Sequence, residues 1–185
     1  AIMAVDTLFD RGGKLAELSE DTLDKLSKVL PSSWSHSNPI DIVGDAGDQR
    51  YIDTINILLD GDEADAILIM HSPSAVAHSA KTAERIIEAI KKHPRHKRFN
   101  ILTNWSGELT ARPARKLFTE AGFPTYRTPE SSVVAFMHLV EYRRNQRQLM
   151  ETPTTAEKVH IEDLADAKNW IERQLLDKDT VSLDT

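Results

Sequence analysis

The chain has 185 residues, 40% hydrophobic and 28% charged, with a formal net charge of −6 and no cysteine. This is length enough for one domain with a sizeable core and an appendage. The lack of cysteine excludes a disulfide frame, a thiol nucleophile and a cysteine-ligated zinc or iron–sulfur site. The acidic balance argues against a general nucleic-acid binder, and no apolar run approaches the ~18 residues of a membrane span. The opening "AIMAVDTLFDRGG" carries two aspartates and no basic n-region, so it does not read as a signal peptide. A soluble protein of a reducing cytoplasm is expected.

Apolar residues at positions 1, 2, 4, 5, 8 and 9 predict a helix over Ala1 to Arg11, ended by Gly12-Gly13. "KLAEL" reads as a short strand. Ser19 fits an N-cap for the helix "EDTLDKLSKVL", with Leu23, Leu26, Val29 and Leu30 on one face, and Pro31 stops it. Asn38-Pro39 marks a turn, and Ile40, Ile42 and Val43 form a brief apolar run. Gly44 to Gly47 is a polar loop, and Asp48 is placed to cap the helix "QRYIDTINILLD". From there strands and helices alternate. Strands are expected at Ala66–Met70, Phe99–Thr103 and Thr125–Arg127, and helices at Ser74–Lys92, Leu109–Ala121 and Ser131–Arg144. That beat predicts a flavodoxin-like or Rossmann-like three-layer α/β sandwich around a parallel sheet. After Met150 a Pro/Thr-rich linker, one polar helix and "TVSLDT" read as a connector.

In open parallel sheets ligands gather at the carboxyl ends of the strands. Three loops have that address: Gly44–Asp48, His71–Ser74 and Asn104–Glu108, the last being "NWSGE". The candidate anion or ligand contacts are Gly44, Asp45, His71, Ser72, Asn104, Trp105, Ser106 and Gly107. His71 has the chemistry of a general base or phosphate acceptor. It equally suits a strand end whose ring meets the backbone, with Ser72 capping the next helix and Pro73 in its first turn. No G-x-S-x-G elbow surrounds Ser72 or Ser74, so neither reads as an activated nucleophile. Asp41, Asp45 and Asp48 have the oxygen donors of a divalent-metal site but not EF-hand spacing, and aspartates also form turns and caps. No metal site is assigned. "NWSGE" is no P-loop, yet it can offer backbone N–H groups to an anion. Trp105 there can stack on a ligand ring or pack against the loop. The basic stretches "KKHPRHKR" and "EYRRNQR" read as solvated surface, since neither interleaves aromatics.

The segments "KLAELSEDTLDKLSKVLP", "NPIDIVGDA", "DAILIMHSPS" and "AGFPTYRTPESSVVAFMHLVEYRR" together resemble the second ligase-CoA domain of ADP-forming acyl-CoA synthetases, relatives of succinyl-CoA synthetase. "HSPSAVAHSAKTAERIIEAIKKHP", "LTNWSGE" and "EYRRNQRQLMETP" are similar to the branch that joins such a region to an acetyltransferase (GNAT) domain, the bacterial protein lysine acetyltransferases. The resemblance implies a ligase-CoA domain over residues 1–150 that lacks its first strand. Residues 151–185 would then be a linker towards an ATP-grasp domain. It implies a piece of a longer polypeptide whose CoA-binding, first ligase, ATP-grasp and GNAT domains would be the partners. Homo-oligomerisation is left open. CoA or acetyl-CoA and ATP or ADP with Mg belong to that longer protein, and no cofactor to this segment. The phosphohistidine would lie in the earlier domain, which leaves no catalytic residue here and no turnover for the segment alone. A missing central strand would leave a sheet edge to be filled by "TVSLDT" or by a partner chain.

Overall fold

The computed structural model describes residues 1–72, 79–151 and 161–175. The expected starts at Pro73 and Ser74 and the tail "TVSLDT" lie outside the described residues. The chain divides into two units, Ala1–Arg143 and Arg144–Thr185.

In the first unit the elements run α1 (Ile2–Asp10), α2 (Glu20–Val29), α3 (Asp48–Asp60), β1 (Ala66–His71), α4 (Ser79–Lys92), β2 (Asn100–Trp105), α5 (Arg112–Glu120) and β3 (Thr125–Tyr126). Helix α6 (Pro129–Met150) begins in this unit and runs into the second, which also holds α7 (Ile161–Leu175). The three strands are parallel in the order β1-β2-β3. Ala66 pairs with Asn100 and His71 with Trp105, and Thr103 pairs with Thr125.

Helices cover both faces of the sheet, the three-layer α/β arrangement that the strand–helix beat implies. Successive side chains on a strand point to opposite faces, so Ile67 and Ile69 join Ile101 and Trp105 on one side. There they meet Ile55 and Leu59 of α3, Ala83, Ile86 and Ile90 of α4, and Ala114 and Phe118 of α5. Leu68 and Met70 face the other way, towards Ala4 and Leu8 of α1 and Val133, Phe136, Met137 and Val140 of α6. A third cluster, Leu26, Leu30 and Trp34 with Leu18, Leu23, Ile40 and Ile42, is tied to α3 through Ile57.

Local signals explain several element ends. Gly12 has φ +70°, its N–H donates to the Phe9 carbonyl and that of Gly13 to the Leu8 carbonyl, which closes α1 in a Schellman turn. Ser19 caps α2 by accepting from the Thr22 N–H at 3.2 Å. Pro113 sits in the first turn of α5, where its missing N–H costs nothing, so this helix starts at Arg112 rather than Leu109.

Other expectations are corrected. "KLAEL" forms no strand, because no ladder neighbour lies beside it among the described residues: Ala16 gives its carbonyl to the Asn38 side chain, and Leu18 packs on the α2 cluster. The Asn38-Pro39 turn has a cis peptide, and of the brief apolar run after it Ile40 and Ile42 pack on the α2 cluster. Val29 is exposed, since the buried stripe of α2 and the residue that follows it is Thr22, Leu26 and Leu30. The cap of α3 is Gly47 and Asp48 is its first residue. Strand β2 extends through Trp105 because β1 continues to His71 and supplies a partner.

The edge of β1 away from β2 has no paired strand among the described residues. Asn100 N–H donates to the Asp65 carbonyl and Ser106 N–H to the His71 carbonyl. By the alternation of a parallel ladder, residues 67, 69 and 71 therefore face β2, and the backbone groups of Ala66, Leu68 and Met70 face the open side. The Tyr51 hydroxyl takes one of them, donating to the Met70 carbonyl at 3.3 Å.

Candidate functional site

The carboxyl ends of the three strands are stitched together by the segment Asn104–Glu108. The Ser106 N–H donates to the His71 carbonyl at 3.0 Å, linking this loop to the end of β1. Asn104, 1% exposed, donates from Nδ2 to the Tyr126 carbonyl at 3.1 Å and accepts from the Ser106 hydroxyl at 3.2 Å. Gly107 has φ +95°, the left-handed turn that swings the chain out of β2 towards α5.

Beneath the loop runs a row of rings. Tyr51 and His71 have centroids 5.9 Å apart, His71 and Trp105 stack at 4.8 Å and 25°, and Trp105 meets Phe118 at 4.7 Å and 54°. Trp105 is fully buried in this row, so it is a core residue at a strand end rather than a loop residue open to a ligand ring. His71 is buried as well, with Nδ1 3.2 Å from the Tyr51 hydroxyl, and among the described residues its Nε2 has no hydrogen-bond partner. Burial holds its pKa below the usual imidazole value. Burial, helped by Asp41, pushes the Tyr51 hydroxyl up to about 12. Both groups are therefore neutral at pH 7. Among the described residues no carboxylate bonds the His71 ring, and Ser72 beside it is exposed.

The Gly44–Asp48 loop precedes α3 and follows no strand. Asp45 pairs with Arg50 at 2.6 Å, and Arg50 also donates to the Ile42 carbonyl, which pins the loop. That guanidinium holds the Asp45 carboxyl below its usual range. Asp48 pairs with Arg85 of α4 at 3.2 Å, and Asp41 accepts from the Val43 N–H. The three aspartates are thus spent on separate tasks, and among the described residues no group of three possible metal ligands is found. Gly44 has open space around it.

Arginines near "NWSGE" carry most of the charge at this edge, although sequence reasoning passed over them. Arg115, 9% exposed, donates from Nη1 to the Trp105 and Gly107 carbonyls, each at 2.7 Å. Glu108 receives Arg112 at 3.1 Å, Arg115 at 3.6 Å and Arg127 at 3.5 Å. The only signals in the sequence are the i,i+4 spacing of Glu108 and Arg112 and the position of Arg127 just after a strand.

The molecule is thus a three-layer parallel α/β domain whose carboxyl edge carries the polar Asn104–Glu108 segment, with Arg112 and Arg115 of α5 and Arg127 after β3 beside it. No family model matches the chain. It is 31% identical over 141 residues to an ADP-forming acetate–CoA ligase of Methanocaldococcus jannaschii, covering 76% of this chain and 20% of that one. Against the alpha subunit of ADP-forming acetate–CoA ligase II of Pyrococcus furiosus it is 30% identical, covering 78% and 32%. The solved dinucleotide-forming acetyl-coenzyme A synthetase 1 of Ca. Korarchaeum cryptofilum superposes with a TM-score of 0.76 at 25% identity, over 83% of this chain and 33% of that one. That archaeal protein has also been solved in complex with phosphate and ADP. The chain is thus homologous to a domain of ADP-forming acyl-CoA synthetases, and it spans about a fifth to a third of the length of these relatives.

No described helix is long and apolar enough to cross a membrane.

Proposed function

We propose that this chain is the second ligase-CoA module of an ADP-forming acyl-CoA synthetase-like polypeptide. Within it the module serves a structural and regulatory role, with the Ser106–Glu108 loop at the edge that faces acyl-CoA or phosphate. The homology to acetate–CoA ligases supports the family part of this reading. Among the described residues the site offers no nucleophile paired with an oriented base, which favours a supporting role over a reacting one. Its partners would be the CoA-binding, first ligase and ATP-grasp domains, and the open edge of β1 would be completed by a strand from the longer polypeptide.

Two activities fit such a polypeptide. As a synthetase it would convert acetyl-CoA, ADP and phosphate into acetate, ATP and CoA, with Mg and a phosphohistidine carried by another domain. As a protein lysine acetyltransferase, the reading favoured by "HSPSAVAHSAKTAERIIEAIKKHP" and "EYRRNQRQLMETP", it would move the acetyl group of acetyl-CoA to a lysine amine and release CoA. The test is an assay of the longer polypeptide with labelled acetyl-CoA. ATP formation that requires ADP and phosphate supports the first, and protein-bound label without ADP supports the second. Neither product from a folded, acetyl-CoA-binding polypeptide overturns both.

A further inference from the structure

We infer that Arg112, Arg115 and Arg127 form a receptor for a phosphate group, in which Glu108 acts as an internal competitor. The three guanidinium groups come from the first turn of α5 and from the residue after β3, and all reach one carboxylate at 3.1 to 3.6 Å. Arg115 is the fixed member. Its buried stem and two bonds to the Trp105 and Gly107 carbonyls hold Nη1, leaving Nη2 turned to Glu108. A guanidinium locked in this way is ready for an oxyanion without loss of side-chain freedom.

Charge selects the ligand class. Arg112 and Arg127 are 71% and 69% exposed, and among the described residues no carboxylate other than Glu108 lies within ion-pair distance of any of the three arginines. One carboxylate leaves two positive charges uncompensated, the complement of a phosphate near −1.5 to −2 at pH 7. A loop staple would not need this arrangement. Exposed ion pairs contribute about 0 to 1 kcal/mol, and Arg115 already secures the loop through the carbonyls. The location, at the carboxyl ends of β2 and β3, is where ligands of parallel sheets gather.

The inference builds on the placement of the Ser106–Glu108 loop at the ligand-facing edge but not on which activity the longer polypeptide has. The test is a titration of the 185-residue chain with inorganic phosphate and, separately, with adenosine monophosphate, at roughly 20 mM salt where screening is weak. The readouts are calorimetry and the NMR signals of the arginine side chains. Saturable binding that moves Arg112, Arg115 and Arg127 is expected. Glu108→Gln should tighten it about tenfold, Arg127→Ala should weaken it at least about fivefold, and Arg143→Ala should leave it unchanged. Binding of phosphate alone would identify the free ion as ligand, and binding of both would identify a phosphate ester. The inference is overturned if neither binds, if Glu108→Gln changes affinity less than about twofold, or if the shifts fall on the 91–98 stretch instead. Such a failure would leave the homology-based reading standing, because that reading is decided by the acetyl-CoA assay.

Discussion

His71 stacks on Trp105 with ring centroids 4.8 Å apart and an interplanar angle of 25°. The pair joins the last residues of β1 and β2 in register, so an imidazole is held against an indole inside the core. Burial keeps the His71 pKa below its usual value. Near pH 7.5 the ring is neutral in both the folded and unfolded chain and contributes no pH dependence. As pH falls through the ordinary imidazole value of about 6.5, the unfolded chain takes up a proton that the folded one resists, and stability declines until the folded pKa is passed. Urea unfolding at pH 7.5 and 5.5 should show this loss, and His71→Phe should reduce it. Equal pH dependence in both proteins would refute the assignment.

Glu63 supplies the opposite sign. Its carboxylate accepts the Thr22 hydroxyl first and the Ser19 hydroxyl at 2.7 Å, which ties the loop before β1 to the N-terminus of α2. Those bonds hold its pKa at about 2. The stabilisation is complete above the ordinary glutamate value of about 4.3 and is lost as pH falls towards about 2. Solvent screening limits its size, and Glu63→Gln should cost about 1 kcal/mol at pH 7 by urea unfolding. The acid limb between pH 4.5 and about 2 should flatten in that variant.

Arg115→Ala leaves the Trp105 and Gly107 carbonyls without their donor and opens space beneath the loop. A loss of about 2 to 3 kcal/mol in urea unfolding is expected. Arg112→Ala, an exposed partner of the same carboxylate, should change stability by less than about 0.5 kcal/mol. Equal effects from the two would show that burial is not what distinguishes them.

The open edge of β1 predicts a hydrogen-exchange pattern. The amides of Ile67, Ile69 and His71 face β2 and should be protected, whereas those of Leu68 and Met70 should exchange faster in the 185-residue chain. Under the proposed reading, a strand added at this position by a longer polypeptide should slow Leu68 and Met70 selectively. Uniform protection in the chain by itself would mean that the edge is already paired.

Gly12, at φ +70°, closes the Schellman turn of α1 with nothing near its missing side chain. Gly12→Ala should therefore cost about 1 kcal/mol through backbone strain alone, without a packing change. Thermal unfolding would check it.

The alternation of apolar runs with amphipathic helices was enough to determine the three-layer fold, because the periods of strand and helix are written in side-chain polarity. The caps at Ser19 and Gly12 were equally legible, since each depends on residues within one turn. Tertiary structure decided where strands end and which polar groups meet. Asn104 and Trp105 belong to β2 only because His71 lengthens the facing strand. "KLAEL" has the right residues for a strand but no ladder neighbour among the described residues, and a strand requires a partner that local sequence does not specify. The same holds at the carboxyl edge, where Glu108 and Arg112 are close in sequence. Arg127 reaches that carboxylate only because β3 pairs with β2 and brings its end alongside. Pairwise contact between distant segments, not composition, makes the charge cluster.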